Sequence, residues 1–274
     1  MAREAPFKQR IARHAAIAAG RMRRTRPGAA PRHRSVFLHM PKCGGTSLSE
    51  AMYATVPLNQ RIGVIDAVST RRTASMLSFG EDSAALCHED LEHGQLTFDL
   101  REKMLLQHMA WDTMLIHGHV LWSTRAERHF GNAYKYVTIL RDPVARTVSN
   151  FRMMKRNGLL EDDFDAYLEG PVARRHARVY LRYLAGANDI AENEVSDALA
   201  LAHARLSQMA LVGFLDRMDR FLEAYRALFG VRLSPARLNT APDRPPEHTP
   251  AQIERIHALC APDIAIFEAA RTRS

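Results

Sequence analysis

A short apolar run, residues 36–40, stops at Pro41 and passes through Lys42, Cys43, Gly44 and Gly45 into Thr46, Ser47 and Leu48. No other stretch constrains the chain as much. A brief apolar run ended by proline reads as a buried strand. Gly44 and Gly45 permit a sharp turn and a close backbone approach to a ligand. Thr46 and Ser47 fall where a helix starts, so free N–H groups and the positive end of the helix dipole face the loop. Lys42 adds a full positive charge. A strand–loop–helix of this kind holds a phosphate-like anion. The plainer alternative is a structural Gly-Gly turn before a helix.

A second junction repeats the chemistry. Residues 134–140 (YKYVTIL) concentrate β-branched and aromatic residues and predict the strongest strand of the chain. Arg141 ends it, Asp142 suits an N-cap, Pro143 suits the first helical position, and Ser149 falls about two turns into that helix. Arginine can grip phosphate through two N–H groups, with the serine hydroxyl as a further donor. Between the junctions, residues 114–120 predict another strand, ending in His117-Gly118-His119. Strand ends are where open α/β sheets bind ligands. A packed or capping histidine pair is the alternative there.

Composition sets limits. A chain of 274 residues can bury the core of one α/β domain. Residues 1–34 hold ten Arg or Lys and one acid, Glu4, a net +9. Residues 35–274 hold 28 basic and 29 acidic residues, a net −1. The basicity therefore belongs to the N-terminal extension, which argues against nucleic acid as a partner of the fold. The piece from Phe7 to Met22 is helix-compatible. The extension reads as a solvated, flexible or partly helical arm, or as a contact for an anionic surface. No apolar run reaches the ~20 residues of a membrane span. The basic N-terminus lacks the apolar core of a secretory signal. Cys43, Cys87 and Cys260 are odd in number and not spaced for a metal, which fits a reducing compartment and predicts a cytoplasmic protein.

The rest of the chain predicts a strand over 62–68 and mostly helix over 70–112, broken near Gly80 and Gly94. That part contains Cys87, His88, Glu89, Asp90 and His93, which read better as a solvated helix face than as a metal site. Helices are predicted over 143–157, 161–169, 172–185 and 191–209, then a strand over 211–215 and a helix over 221–229. A proline-rich loop spans 238–246, and a closing helical region runs from Pro250 to Arg271. Arg174, Arg175, Arg178 and Arg182 suit an anionic acceptor groove or a solvated helix equally well.

Two phosphate-binding junctions in one chain suggest a ligand with phosphates at both ends, and at this point a resemblance emerges. PKCGGTSL resembles the 5′-phosphosulfate loop, commonly PKTGGTSL, of sulfotransferases that use 3′-phosphoadenosine 5′-phosphosulfate (PAPS). YKYVTILRDPVARTVSNF is similar to their 3′-phosphate motif, in which a serine follows the arginine by eight residues. HGHV is similar to the segment that bears the proposed base in heparan and uronyl 2-O-sulfotransferases and their bacterial relatives. The resemblance covers roughly residues 35–271, and Cys43 departs from it by standing where threonine is usual.

The resemblance implies a three-layer, P-loop-like fold with a mainly parallel central sheet in a single domain, 35–274. It implies in-line sulfuryl transfer from PAPS to a hydroxyl, expected on a carbohydrate, with no metal needed. Lys42 would stabilise the leaving group. The loop of Cys43, Gly44, Gly45, Thr46 and Ser47 would hold the 5′-phosphate, and Arg141 and Ser149 the 3′-phosphate. Arg244 would reach the nucleotide. His119 would be the general base, with His117 as the alternative base or as its orienting neighbour. A P-loop kinase needs its lysine after the glycines, whereas Lys42 precedes them. A cysteine phosphatase needs an arginine where Ser49 stands. A weakly active relative that only binds an anionic glycan is the reading from another class.

Overall fold

The computed structural model describes residues 7–89, 92–235 and 248–273. Five strands, β1 (Arg34–Leu38), β2 (Ile62–Ile65), β3 (Leu115–Gly118), β4 (Tyr134–Leu140) and β5 (Leu211–Phe214), form one sheet in the order β2-β3-β1-β4-β5. Every pairing is parallel. The helices are α1 (Phe7–Arg24), α2 (Gly45–Tyr53), α3 (Ala67–Phe79), α4 (Gly94–Ala110), α5 (Thr124–Phe130), α6 (Pro143–Arg156), α7 (Phe164–Glu169), α8 (Pro171–Ala177), α9 (Val179–Ala185), α10 (Val195–Gln208), α11 (Met218–Phe229), α12 (Pro250–Leu259) and α13 (Ala261–Thr272). This is the expected α/β class, a central parallel sheet flanked by helices. Parallel strands are covered on both faces, so β1 and β4 are almost wholly buried.

Strand β1 lies in the middle. The chain builds β2 and β3 on one side of it, then β4 and β5 on the other. The crevice beyond the carboxyl ends of β3, β1 and β4 is where this topology places a ligand. The main core lies around the sheet. A second cluster, with Val144, Phe151, Phe164, Tyr167, Ile256 and Cys260, joins α6 and α7 to α12.

Several boundaries differ from expectation, each for a local reason. The strand predicted over 62–68 stops at Ile65, because the Asp66 carboxylate caps α3 by accepting from Val68 N and Ser69 N. The helix predicted over 172–185 is two helices. The Asp263 carboxylate takes the N–H groups of Tyr180 and Leu181 at 2.8 and 2.9 Å, which starts α9 afresh. The closing helix also divides, because Pro262 near the start of α13 has no N–H to continue α12.

The N-terminal segment is helical, with most of its described residues exposed, and it docks along one edge. Arg13 pairs with Glu50 on α2. The Arg21 guanidinium donates to the carbonyls of Val56, Pro57 and Gln60 at 3.1, 3.2 and 2.9 Å. Gly20 lies against Ala54, and a Cβ there would fall 2.7 Å from the Ala54 Cβ. The proline-rich loop predicted over 238–246, with Arg244, lies outside the described residues, as does Asp90.

Candidate active site

The loop after β1 is a cradle of bare N–H groups. Gly44 precedes α2 in the left-handed region, with φ 77° and no side-chain cap. The first N–H groups of α2 therefore keep no partner from a capping side chain. Lys42 also has positive φ, 65°, which is uncommon for a side-chain-bearing residue and turns this loop sharply. Thr46 is exposed and Ser47 half-buried at the helix start. Gly45 also makes room for a side chain. A Cβ there would lie 2.3 Å from His39 Nε2, so its lack of a side chain admits an imidazole.

Cys43 turns away from the loop. It is 1% exposed, and its Sγ lies 3.3 Å from the Tyr180 hydroxyl. Burial pushes its thiol up from the ordinary value. Its side chain points into the core, so what this loop position offers a ligand is its backbone N–H. The buried, protonated thiol also removes the phosphatase alternative.

Positive charge gathers on the β4 side. Arg141 Nη1 lies 3.4 Å from the Lys42 carbonyl. Burial first, then Arg156, then Arg141 hold the Lys42 ammonium below its usual range, with a smaller opposing effect from Cys43. Among the described residues no carboxylate pairs with Lys42, Arg141 or Arg156. Such unneutralised cations fit a phosphosulfate and a second phosphate, which would lower the mutual repulsion. Arg156, at the end of α6, was not expected; it lies fourteen residues beyond Asp142, outside the matched motif. Asp142 caps α6 as predicted, accepting from Ala145 N at 2.8 Å. Ser149 is half-buried on the second turn of α6 and makes no hydrogen bond to the other predicted residues.

Tyr180 ties the two junctions together. Its hydroxyl donates to the Arg141 carbonyl at 2.6 Å and accepts from Arg141 N at 2.8 Å. Its own N–H is held by Asp263, which also meets the fully buried Arg146 at 3.4 Å. Burial raises the Asp263 carboxyl to about 6 against the pull of Arg146 and of its two N–H donors.

The β3 side carries imidazoles. Phe37 on β1 stands in register with His117 on β3. Side chains two apart on a strand share a face. Phe37 and His39 therefore lie beside His117 and His119. His119 Nδ1 is 2.8 Å from the His39 carbonyl. A carbonyl only accepts, so Nδ1 carries the proton and Nε2 keeps its lone pair, the form a general base requires. His117 differs. Its Nδ1 meets the Tyr53 hydroxyl at 2.6 Å and its Nε2 meets His39 Nδ1 at 2.9 Å, so both nitrogens are engaged. Burial, then His119, push His117 down to about 3, with Asp66 opposing. Burial is also the main cause that lowers His119, with Glu89 opposing.

Of the polar cluster around residues 87–93 that reads as a solvated helix face, Cys87 and Glu89 instead support this side. Cys87 is buried, and Glu89 pairs with the buried Arg101 at 2.6 Å. Arg101 also donates to the His119 carbonyl at 3.0 Å and to Thr70 Oγ1 at 2.9 Å. Among the described residues no group of three or more His, Cys, Asp or Glu side chains is placed to hold a metal ion. The arginines of α8 and α9 do not form an open groove. Arg174 and Arg178 pair with Glu192, Arg175 with Asp189, and the buried Arg182 donates to Asn188.

Comparison with known proteins bears on this arrangement. The model of the sulfotransferase family matches residues 29–268. No curated protein matches the chain. A solved chain from a study titled as the characterisation of the PezAT chromosomal toxin–antitoxin system of Streptococcus pneumoniae aligns at 13% identity and a TM-score of 0.33, over 97% of this chain and 99% of that one. A score that low enters no argument about fold or function. Among the described residues no helix is long and apolar enough to cross a membrane.

Proposed function

The chain belongs to the sulfotransferase family, and we propose that it moves a sulfuryl group from PAPS to the hydroxyl of a carbohydrate acceptor. The observation that carries this reading is the meeting of Lys42 and Arg141 beside an uncapped helix N-terminus, with no carboxylate among the described residues to neutralise them. When bound, PAPS supplies a sulfuryl group on a phosphate that can leave. The S–O bond to that phosphate breaks, an S–O bond to the acceptor oxygen forms, and the acceptor proton passes to His119 Nε2. Lys42 neutralises charge on the departing oxygen. The N–H groups from Cys43 to Ser47, with the Thr46 and Ser47 hydroxyls, hold the 5′-phosphate. Arg141 and Ser149 hold the 3′-phosphate, with Arg156 adding positive potential and Arg244 reaching the nucleotide. Such a transition state is loose, so position and charge contribute more than covalent help.

His119 rather than His117 is the base in this reading, because only His119 keeps an unengaged ring nitrogen. The catalytic domain is 35–274, with α1 docked beside α2 and the surplus of arginine in residues 1–34 available to an anionic surface. Three buried free thiols support a reducing, cytoplasmic setting. The test is a radiolabelled transfer assay with PAPS across a panel of glycans and simple alcohols. Label passing to a glycan supports the proposal. Tight glycan binding without transfer would favour the binding-only alternative, and label passing from ATP instead would favour a kinase.

A further inference from the structure

His39 has no role in the proposed chemistry, yet it occupies the middle of the site. Its ring lies between the loop that faces the donor and the histidine that faces the acceptor. On one side Gly45 leaves room for its Nε2. On the other, the ring stacks on His119 with centroids 4.4 Å apart and planes at 24°. Phe37 stacks against both His39 and His117, at 5.7 and 5.4 Å.

The hydrogen bonds fix the ring from its edge. His39 Nδ1 meets His117 Nε2 at 2.9 Å, and His117 Nδ1 meets Tyr53 Oη at 2.6 Å. The chain runs from the Tyr53 hydroxyl through both nitrogens of His117, one donating and one accepting, to Nδ1 of His39. His39 cannot rotate about its χ2 without breaking that chain. His119, in contrast, has one anchor to this strand, the His39 carbonyl, and would be free to swing about it. The His39 ring lies flat against one face of His119, in the path of that swing. We propose that His39 is a positioning residue: its ring, held by His117 and Tyr53, keeps His119 seated on the His39 carbonyl with Nδ1 protonated and Nε2 turned to the acceptor. This rests on the assignment of His119 as base.

Burial and the neighbouring His119 and His117 keep His39 uncharged at neutral pH. No positive charge from His39 then opposes the proton that His119 takes up. The charged and titratable groups that act on His119 are Glu89, Arg101 and Arg71, with His39 and His117 packed beside it.

The deciding experiment uses protein labelled with 15N-histidine. Long-range 1H–15N spectra read the tautomer of each imidazole, and steady-state kinetics are measured beside them. In the wild type, His119 is expected as a single Nδ1–H tautomer. His39→Ala keeps the carbonyl and removes only the ring. It should mix the His119 tautomers and lower kcat by roughly tenfold, with KM for PAPS changed by less than about twofold. The acid limb of kcat/KM should move up toward about 6.5, as water reaches His119. Tyr53→Phe removes only a hydroxyl. It should give a weaker version of the same pattern, roughly threefold in kcat. An unmoved His119 tautomer and an unmoved acid limb in His39→Ala would overturn the inference, even if melting temperature falls. Should His39→Ala not fold, the same null result in Tyr53→Phe overturns it. If the wild type transfers no sulfuryl group, the failure lies with the proposed reaction, and the tautomer spectra still decide the role of His39.

Discussion

Strand β1 faces a different chemistry on each side. Toward β4, Lys42, Arg141 and Arg156 are cations without a carboxylate among the described residues. Toward β3, His39, His117 and His119 are uncharged imidazoles bound to one another and to Tyr53. The first side is electrostatically incomplete and would be completed by an anion. The second is joined by hydrogen bonds except at Nε2 of His119 and of His39, and would be completed by a proton at His119. A group transfer between an anionic donor and a neutral hydroxyl needs both kinds of site in one cleft. Adjacent parallel strands deliver them, because their carboxyl ends open into one crevice.

Removing the charge should have the largest effect. Lys42→Ala is expected to lower kcat by about a thousandfold, or ~4 kcal/mol, the scale of losing one preorganised stabiliser of developing charge. Affinity for the desulfated nucleotide should fall far less, because Arg141 and the loop N–H groups remain. Stopped-flow or radiolabel turnover with calorimetry of the nucleotide separates the two. Normal turnover in this variant would end the assignment of Lys42.

The imidazole side is tested by His119→Ala. Turnover should drop by about a hundredfold or more, on the scale of general-base catalysis, with nucleotide affinity little changed. Equal loss for nucleotide and acceptor would make His119 a structural residue and erase the contrast between the two sides.

What sequence could reveal of these sides follows from how local their causes are. Strand β4 and the cap and proline that open α6 are encoded within ten residues, and they appear where expected. The glycine loop was legible for the same reason. The direction of Cys43 was not, since it depends on Tyr180, 137 residues away. The break between α8 and α9 depends on Asp263, more than eighty residues further on. His39 was within reach. Alternation along β1 places it on the face of Phe37, and the same alternation on β3 pairs His117 with His119. What was missing was the register that sets the two pairs side by side. The docking of α1 left one small trace, Gly20, which is buried in an otherwise basic and exposed-looking helix.

Tyr180 joins the cationic loop to the end of β4, so Tyr180→Phe tests whether that side is preorganised. The change leaves Arg141 N without its acceptor and Cys43 without its hydroxyl neighbour. A lost partner for a buried donor costs about 1–3 kcal/mol. Stability from denaturant unfolding should fall by that amount, and nucleotide affinity should weaken as Arg141 loosens. The histidine tautomers should stay as they are, because no bond from Tyr180 reaches β3. A change on both sides would show that they are one network.

The smallest effect is a slope. His117 is held near 3 in the folded protein, mainly by burial and next by His119, against about 6.5 when unfolded. As pH falls through 6.5 the unfolded chain takes up a proton that the folded chain refuses. The folded state is then disfavoured by about 1.4 kcal/mol for each further pH unit, down to about 3. The stability is thus fully present above 6.5 and is lost in acid, the sign for a histidine buried neutral. Other groups titrate in the same range, so the measurement is a difference. Denaturant unfolding of the wild type and of His117→Asn is compared between pH 7 and pH 5. The wild type should lose about 2 kcal/mol more than the variant over that interval. Parallel pH profiles would mean that His117 accepts a proton in the folded state. The β3 side would then carry charge like the β4 side, and the division of labour across β1 would not hold.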